Sequence, residues 1–268
     1  MVKLKAIIFD VDGTLANTEE IHRQSFNEAF AEFGFKDTWS VEEYARLLAI
    51  SGGKERITAW LRSRDPAGSG DMDVREFALR IHQRKSEIYR DHLRAGRIAP
   101  RPGVVRLMQE ALRNGIRMGI ATSTSRSNVE TLLACILDQE LRSGFDAIAT
   151  SDIIADKKPS PSVYQFALAK LCISPAECIA IEDTTNGNRA ACACGIATLI
   201  TIHEFTLDND FTGAKLVIDQ LGEPGLPFRK ISGNTYGKSY VDTDLLRHIL
   251  AGHQLCGQRR DDFAVVAK

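Results

Sequence analysis

No apolar run in this 268-residue chain approaches the roughly 20 residues of a membrane-spanning helix, and Met1-Val2-Lys3-Leu4-Lys5 lacks the apolar core of a signal peptide. Neither sign of charge dominates: 34 Lys and Arg stand against 35 Asp and Glu. That balance argues against a nucleic-acid binder held by a general basic field, whereas a small anionic ligand needs only local positive charge. The six cysteines, Cys135, Cys172, Cys178, Cys192, Cys194 and Cys256, form no CxxC pair and no zinc-type spacing with histidine. Cys192 and Cys194 sit among the small residues of Arg189–Gly195, where a helix packs on a sheet, and read as packing thiols. Repeats and long low-complexity segments are also missing. Together these absences predict a cytoplasmic protein with no membrane or nucleic-acid partner, and a monomer is the expectation where the sequence itself does not reveal the oligomeric state.

What is present is a series of short apolar runs, each followed by a turn and a helical pattern: Lys5–Phe9, Arg117–Ala121, Ala147–Thr150, Cys178–Ile181 and Ala197–Ile202. Near-continuous apolar strands alternating with helices predict an α/β fold with a parallel sheet covered on both faces. Gly115 and Gly195 stand just before the second and fifth runs, where helices end. Right-handed crossovers then bring every strand C-terminus to one edge, outside which the ligand binds. More than a hundred residues separate the first two strands. The intervening stretch, from about Glu19 to Ile98, carries helical spacing in Ile21, Phe26, Ala29, Phe30 and Phe33 and again in Ile81, Ile88 and Leu93. Asp65–Asp71 reads as a loop, Ala99–Gly103 as a return hinge, and Trp39 and Trp60 as core of the helical insert. Past Asp219 a Gly- and Pro-rich stretch precedes Asp242–Leu250, which reads as a helix without an assigned role.

The strand ends carry the chemistry. The first ends in Phe9-Asp10-Val11-Asp12-Gly13-Thr14. Two carboxylates at the end of a buried strand call for a compensating cation or a catalytic role, and carboxylate oxygens are natural Mg²⁺ ligands. The alternative is a tight turn built on Asp side chains. The second strand ends in Ala121-Thr122-Ser123-Thr124-Ser125, a phosphate cradle or a Ser/Thr helix cap. Asp156-Lys157-Lys158-Pro159 offers an ammonium beside a phosphoryl group, or a solvated basic loop. The fourth strand ends in Ile181-Glu182-Asp183, which completes a cation site or charges a helix N-terminus.

In this order the four segments resemble the four motifs of the haloacid-dehalogenase-like (HAD) superfamily, a likeness that runs to about Ile202. The insert resembles the C1-type cap of the β-phosphoglucomutase-like branch. Ala16–His22 and Gly52–Ile57 look like the CbbY-like sugar-phosphate phosphatases, although Asn17 stands where that pattern usually has Glu. The resemblance implies a Rossmannoid core over residues 1–16 and 99–268 and a helical cap over 17–98. It implies that Asp10 is the nucleophile forming an aspartyl phosphate and that Asp12 is general acid and then base. Thr122 and the Ser123 N–H would hold phosphate oxygens and Lys158 would neutralise charge. Mg²⁺ would be held by Asp10, the Asp12 carbonyl and Asp183, with Glu182 as a further ligand. His22, at the cap entrance in the family, together with Gly53, Lys54, Arg56 and Asn186, is expected at the substrate, Lys54 and Arg56 as readers of a distal phosphate. Exposed helix charge accounts equally well for Lys54 and Arg56, and helix capping for Asn186.

True haloacid dehalogenases lack an Asp at the position of Asp12, so phosphate-ester chemistry is expected over carbon–halogen cleavage. The expected substrate is a small sugar phosphate, such as xylulose 1,5-bisphosphate or a related pentulose bisphosphate. A phosphomutase of β-phosphoglucomutase type is the alternative; a non-catalytic sugar-phosphate-binding protein fits less well, because Asp10, Asp12, Thr122, Lys158 and Asp183 are all intact.

Overall fold

Alternate residues of the first strand serve opposite layers. Ile7 and Phe9 of β1 (Ala6–Phe9) join one apolar cluster, Ala6 and Ile8 another. The computed structural model describes residues 3–64, 71–96 and 98–253. Residues 65–70 of the expected loop, and Cys256, lie outside the described residues.

Four helices follow β1: α1 (Glu19–Glu32), α2 (Val41–Leu47), α3 (Gly53–Arg64) and α4 (Asp71–Arg94). Then come α5 (Val104–Arg113), β2 (Arg117–Ala121), α6 (Arg126–Ile136), α7 (Gln139–Ser143) and β3 (Phe145–Ala149). The chain continues through α8 (Ser162–Leu171), β4 (Cys178–Glu182), α9 (Thr185–Ala193), β5 (Ala197–Thr201), β6 (Leu216–Ile218) and β7 (Lys230–Gly233). Among the described residues a last helix spans 243–253. The five expected strands are all present, displaced at their ends by no more than two residues.

The sheet order is β3-β2-β1-β4-β5-β6-β7, parallel throughout except for the antiparallel β6–β7 pair. Phe9 is level with Ile120 of β2 on one side and Ile181 of β4 on the other. The register therefore delivers Asp10, Ala121 and Glu182 side by side at one edge. Gly115 and Gly195 take positive φ (64° and 76°) just ahead of β2 and β5, as their place after a helix requires.

One face is covered by α5, α6 and the helix over 243–253, through Leu107, Met108, Val129, Leu245, Leu246 and Ile249. The other is covered by α8 and α9, through Val163, Tyr164, Ala167, Ala190 and Ala191. The segment after Asp219, without a role in the sequence, thus completes the sheet and seals one face. Asp242 caps its helix by accepting the Leu245 N–H at 2.7 Å.

Helices α1–α4 build a third cluster around Phe26, Phe30, Trp39, Tyr44, Ile57, Trp60 and Ile81. Both tryptophans are core, as expected, and the cluster also takes in Phe205 from the loop after β5. The expected return hinge is pinned: Arg101 is buried, its backbone N–H bonds Leu15 O at 2.8 Å, and its guanidinium donates to the carbonyls of Gly13, Thr201, Ile202 and Asp219. Among the described residues no helix is long and apolar enough to cross a membrane.

Candidate active site

Three carboxylates meet at the strand edge. Ligand oxygens of Asp10, Glu182 and Asp183 all lie within 4.8 Å of one another, and all three side chains are buried. Residues 10 and 183, remote in sequence, share one pocket because β1 and β4 are adjacent. Lys158 Nζ joins two of them, donating to Asp10 Oδ1 at 2.6 Å, Glu182 Oε1 at 2.5 Å and the Ala121 carbonyl at 2.8 Å. Burial would favour a neutral lysine, but Asp10 and Glu182 outweigh it and raise the ammonium's pKa. Burial, then repulsion from Glu182 and Asp183, pushes the Asp10 carboxyl well above the usual range against the pull of Lys158. Burial, then repulsion from Asp183, raises Glu182 as well against the pull of Lys158. Three buried carboxylates against one ammonium form an all-oxygen, charge-deficient donor set that fits a hard divalent cation such as Mg²⁺.

Glu182 is set back from the open cavity. Its Oε1 also accepts the Tyr164 hydroxyl at 2.5 Å and its Oε2 the Asp183 N–H at 3.3 Å. Gly187 makes room for it, since a Cβ there would fall 1.8 Å from Oε2. Asp183 is held by Thr14 Oγ1 at 3.4 Å and His203 Nε2 at 2.9 Å.

Asp12 is gripped from the helical layer. Its Oδ1 receives Thr18 Oγ1 at 2.7 Å, His22 Nε2 at 3.0 Å and the Tyr89 hydroxyl at 3.2 Å. Burial alone would raise its pKa, but the charge and hydrogen bond of His22, the Thr18 hydroxyl and Lys85 together hold it well below the carboxylate range. His22 stacks on Tyr89 with centroids 3.9 Å apart, and Lys85 Nζ lies 2.5 Å from His22 Nδ1. Burial and Lys85 lower the His22 pKa. Burial brings Lys85 down to about 7, although Asp12 opposes it.

These groups face a cavity of about 260 Å³ between the strand edge and the helices. Asp10, Asp12, His22, Gly53, Lys54, Arg56, Thr122, Ser123, Lys158, Asp183 and Asn186 all line it; of the expected site residues only Glu182 does not. The Lys54 side chain is 47% exposed and 3.7 Å from Glu55. Arg56 is partly committed to structure, donating to Ile50 O at 2.9 Å and Tyr44 OH at 3.3 Å while lying over the Tyr44 ring. Gly53 is needed for packing, since a Cβ would meet the His82 ring at 2.8 Å. Asn186 donates to Ala49 O and Ser51 Oγ, both at 3.1 Å, and so ties the start of α9 to the helical layer.

Sequence reasoning missed Glu19, Tyr44, His82, Lys85, Tyr89, Asn128, Lys157 and His203. Buried Glu19 accepts the Tyr44 hydroxyl at 2.7 Å. Asn128 joins Thr124 beside the phosphate-suited turn to Arg90 of α4. His82 and Lys157 line the cavity, His82 lowered to about 3 by burial and then by Lys85. Two had a visible signal. Lys85 lies on the apolar stripe between Ile81 and Ile88, and His203 stands just past a strand end, as the other site residues do.

A parallel sheet with paired carboxylates and a lysine at its C-terminal edge, under an inserted helical layer, defines a phosphotransferase of the HAD type. A model of the haloacid dehalogenase-like hydrolases matches residues 7–201, and the chain belongs to that family. It is a phosphoric monoester hydrolase, a phosphatase of that family. Within the family it is 43% identical over 224 residues to protein CbbY of Cereibacter sphaeroides, covering 83% of this chain and 94% of that protein. Crystal structures of CbbY from Rhodobacter sphaeroides, one with phosphate and one of a mutant with xylulose-(1,5)bisphosphate, superpose with a TM-score of 0.74, covering 83% of this chain and 96% of theirs. A phosphorylated carbohydrates phosphatase of Thermotoga maritima is 24% identical over 194 residues, 72% of this chain and 82% of that protein. The β-phosphoglucomutase of Clostridium difficile shares the fold at a TM-score of 0.68 and 19% identity, covering 94% of this chain and 99% of that one.

Proposed function

We propose that this phosphatase hydrolyses a small sugar phosphate, of the pentulose bisphosphate class, in a Mg²⁺-dependent reaction through an aspartyl phosphate on Asp10. The observation that carries the reading is the convergence of Asp10, Glu182 and Asp183 within 4.8 Å, with Lys158 bridging two of them. The resemblance to CbbY supports the substrate class.

Asp10 attacks phosphorus in line; the alkoxide leaves, and the phosphoryl group passes to the carboxylate. Thr122 and the Ser123 N–H hold the phosphoryl oxygens, and Lys158 offsets the charge of nucleophile and substrate. Asp10, the Asp12 carbonyl and Asp183, with Glu182 behind, would hold Mg²⁺, which when bound supplies positive charge beside the phosphoryl oxygens. Asp12 protonates the leaving alkoxide, then takes a proton from the hydrolytic water. Its ionised, triply bonded state suits the second step. An anionic phosphate arriving beside it raises its pKa, the direction that loads it with a proton for the first. The helical layer, residues 17–98, acts as the cap and brings His22 to Asp12.

Phosphate release with Mg²⁺ across pentose, hexose and pentulose mono- and bisphosphates tests the reading. Release should be fastest from a pentulose bisphosphate; isomerisation of a sugar phosphate without release would replace hydrolysis by mutase chemistry. Replacing Lys54, the freest cavity cation of α3, by Ala should raise KM roughly tenfold for a bisphosphate and little for a monophosphate, the loss of one charge contact. Equal changes for both would remove Lys54 from the distal phosphate.

A further inference from the structure

We propose that His203 is a positioning residue for Asp183, fixing that carboxylate for the divalent cation. The proposal rests on the reading that Asp10 and Asp183 share such a cation.

His203 follows β5 by two residues, on the same edge as the rest of the site. Its Nε2 lies 2.9 Å from Asp183 Oδ2, and the two side chains are 6% and 1% exposed, a burial that strengthens the contact. The other ring nitrogen, Nδ1, accepts the Phe205 backbone N–H at 3.3 Å. A nitrogen that accepts carries no proton, so Nε2 is the donor and Asp183 Oδ2 the acceptor. The backbone around the ring is fixed as well. The His203 N–H bonds Thr206 Oγ1 at 3.0 Å, and the Thr206 N–H returns to His203 O at 2.9 Å. Phe205, whose N–H sets the tautomer, buries its ring against Tyr44 in the helical layer, centroids 5.8 Å apart.

Gly13, in the nucleophile turn, completes the arrangement. At φ +78° it favours glycine, and a Cβ there would stand 2.2 Å from Asp183 Oδ2 and 2.7 Å from His203 Nε2. The turn that carries Asp10 and Asp12 therefore passes directly over the Asp183–His203 pair. A ligand carboxylate with one oxygen tied by a directed N–H loses rotational freedom before the cation arrives, and removing such outer partners typically weakens metal binding.

Two amide variants of the full-length protein separate donor from bulk. His203→Asn keeps an acceptor near the Nδ1 position but falls short of Asp183. His203→Gln extends an N–H to the Nε2 position. The measurement is calorimetric titration with Mg²⁺ alone, alongside melting temperature with and without Mg²⁺. H203N should bind Mg²⁺ about 10- to 100-fold more weakly than the parent, and H203Q within about threefold of it, with similar metal-free melting temperatures for the two. The assignment is overturned if H203N binds within about twofold of the parent, or if H203Q loses as much affinity as H203N. A parent protein that shows neither Mg²⁺ heat nor a Mg²⁺-dependent melting shift would instead strike down the cation reading itself, and the assignment with it.

Discussion

Lys85 is an ammonium-bearing side chain placed where the fold has an apolar stripe, and its cost is a matter of pH. Burial lowers its pKa from an ordinary 10.5 to about 7. Between those values the folded chain holds fewer protons than the unfolded one, so stability rises as pH climbs from about 7 towards 10.5 and is lost as pH falls back through 7. The full excursion is worth up to about 5 kcal/mol. Lys85→Met should remove that slope from urea-unfolding free energies measured across pH 7–10. It should also stabilise the protein at pH 7 and reduce turnover, because His22 loses its partner. A second test concerns Asp10, the proposed nucleophile. Asp10→Asn should lower phosphatase turnover by at least about 10³-fold with little change in melting temperature; appreciable residual activity would remove Asp10 from that role. Asp10, Asp12, Thr122 and Asp183 were legible because each stands at or just past the end of an apolar strand run, where a polar residue is out of place; Lys158, well beyond the end of β3, was legible as a lysine held before Pro159. Tyr44, Tyr89 and Glu19 were not, since an aromatic or an acid on an amphipathic helix is ordinary, and only packing brings Glu19 to the cavity and sets Tyr44 against Glu19 and Tyr89 against His22.

Elements differ in how firmly they are tied, and Arg101 ties several at once. Its guanidinium serves carbonyls from the turn that carries Asp10 and Asp12, the end of β5 and the residue after β6. Arg101→Met would leave those buried carbonyls without donors. The expected loss is about 3–5 kcal/mol in urea unfolding, with a melting temperature lower by roughly 10 °C. A change under about 1 kcal/mol would mean that water or relaxed backbone replaces the guanidinium. The five expected strands were readable because short apolar runs mark them, unbroken in β1 and over Cys178–Ile181 of β4. β6 escaped notice with only three residues, too short a run to stand out. β7 is exposed at every position and reads as loop. Its pairing with β6 is an outcome of the tertiary fold, not of its own residues.

At the scale of the whole molecule, the family match ends at residue 201, yet the sheet continues through β6 and β7 and the last helix closes a face of the core. The insertion of α1–α4 between β1 and α5 gives the chain an aromatic cluster separate from the two that clothe the sheet. Both tryptophans of the sequence, Trp39 and Trp60, belong to that cluster, with ring centroids 5.8 Å apart. The protein's tryptophan emission is therefore a private signal of the helical layer, blind to the strands. If the layer melts before the sheet, the fluorescence midpoint in denaturant will fall below that of circular dichroism; coincident midpoints would mean that the two parts unfold as one cooperative unit.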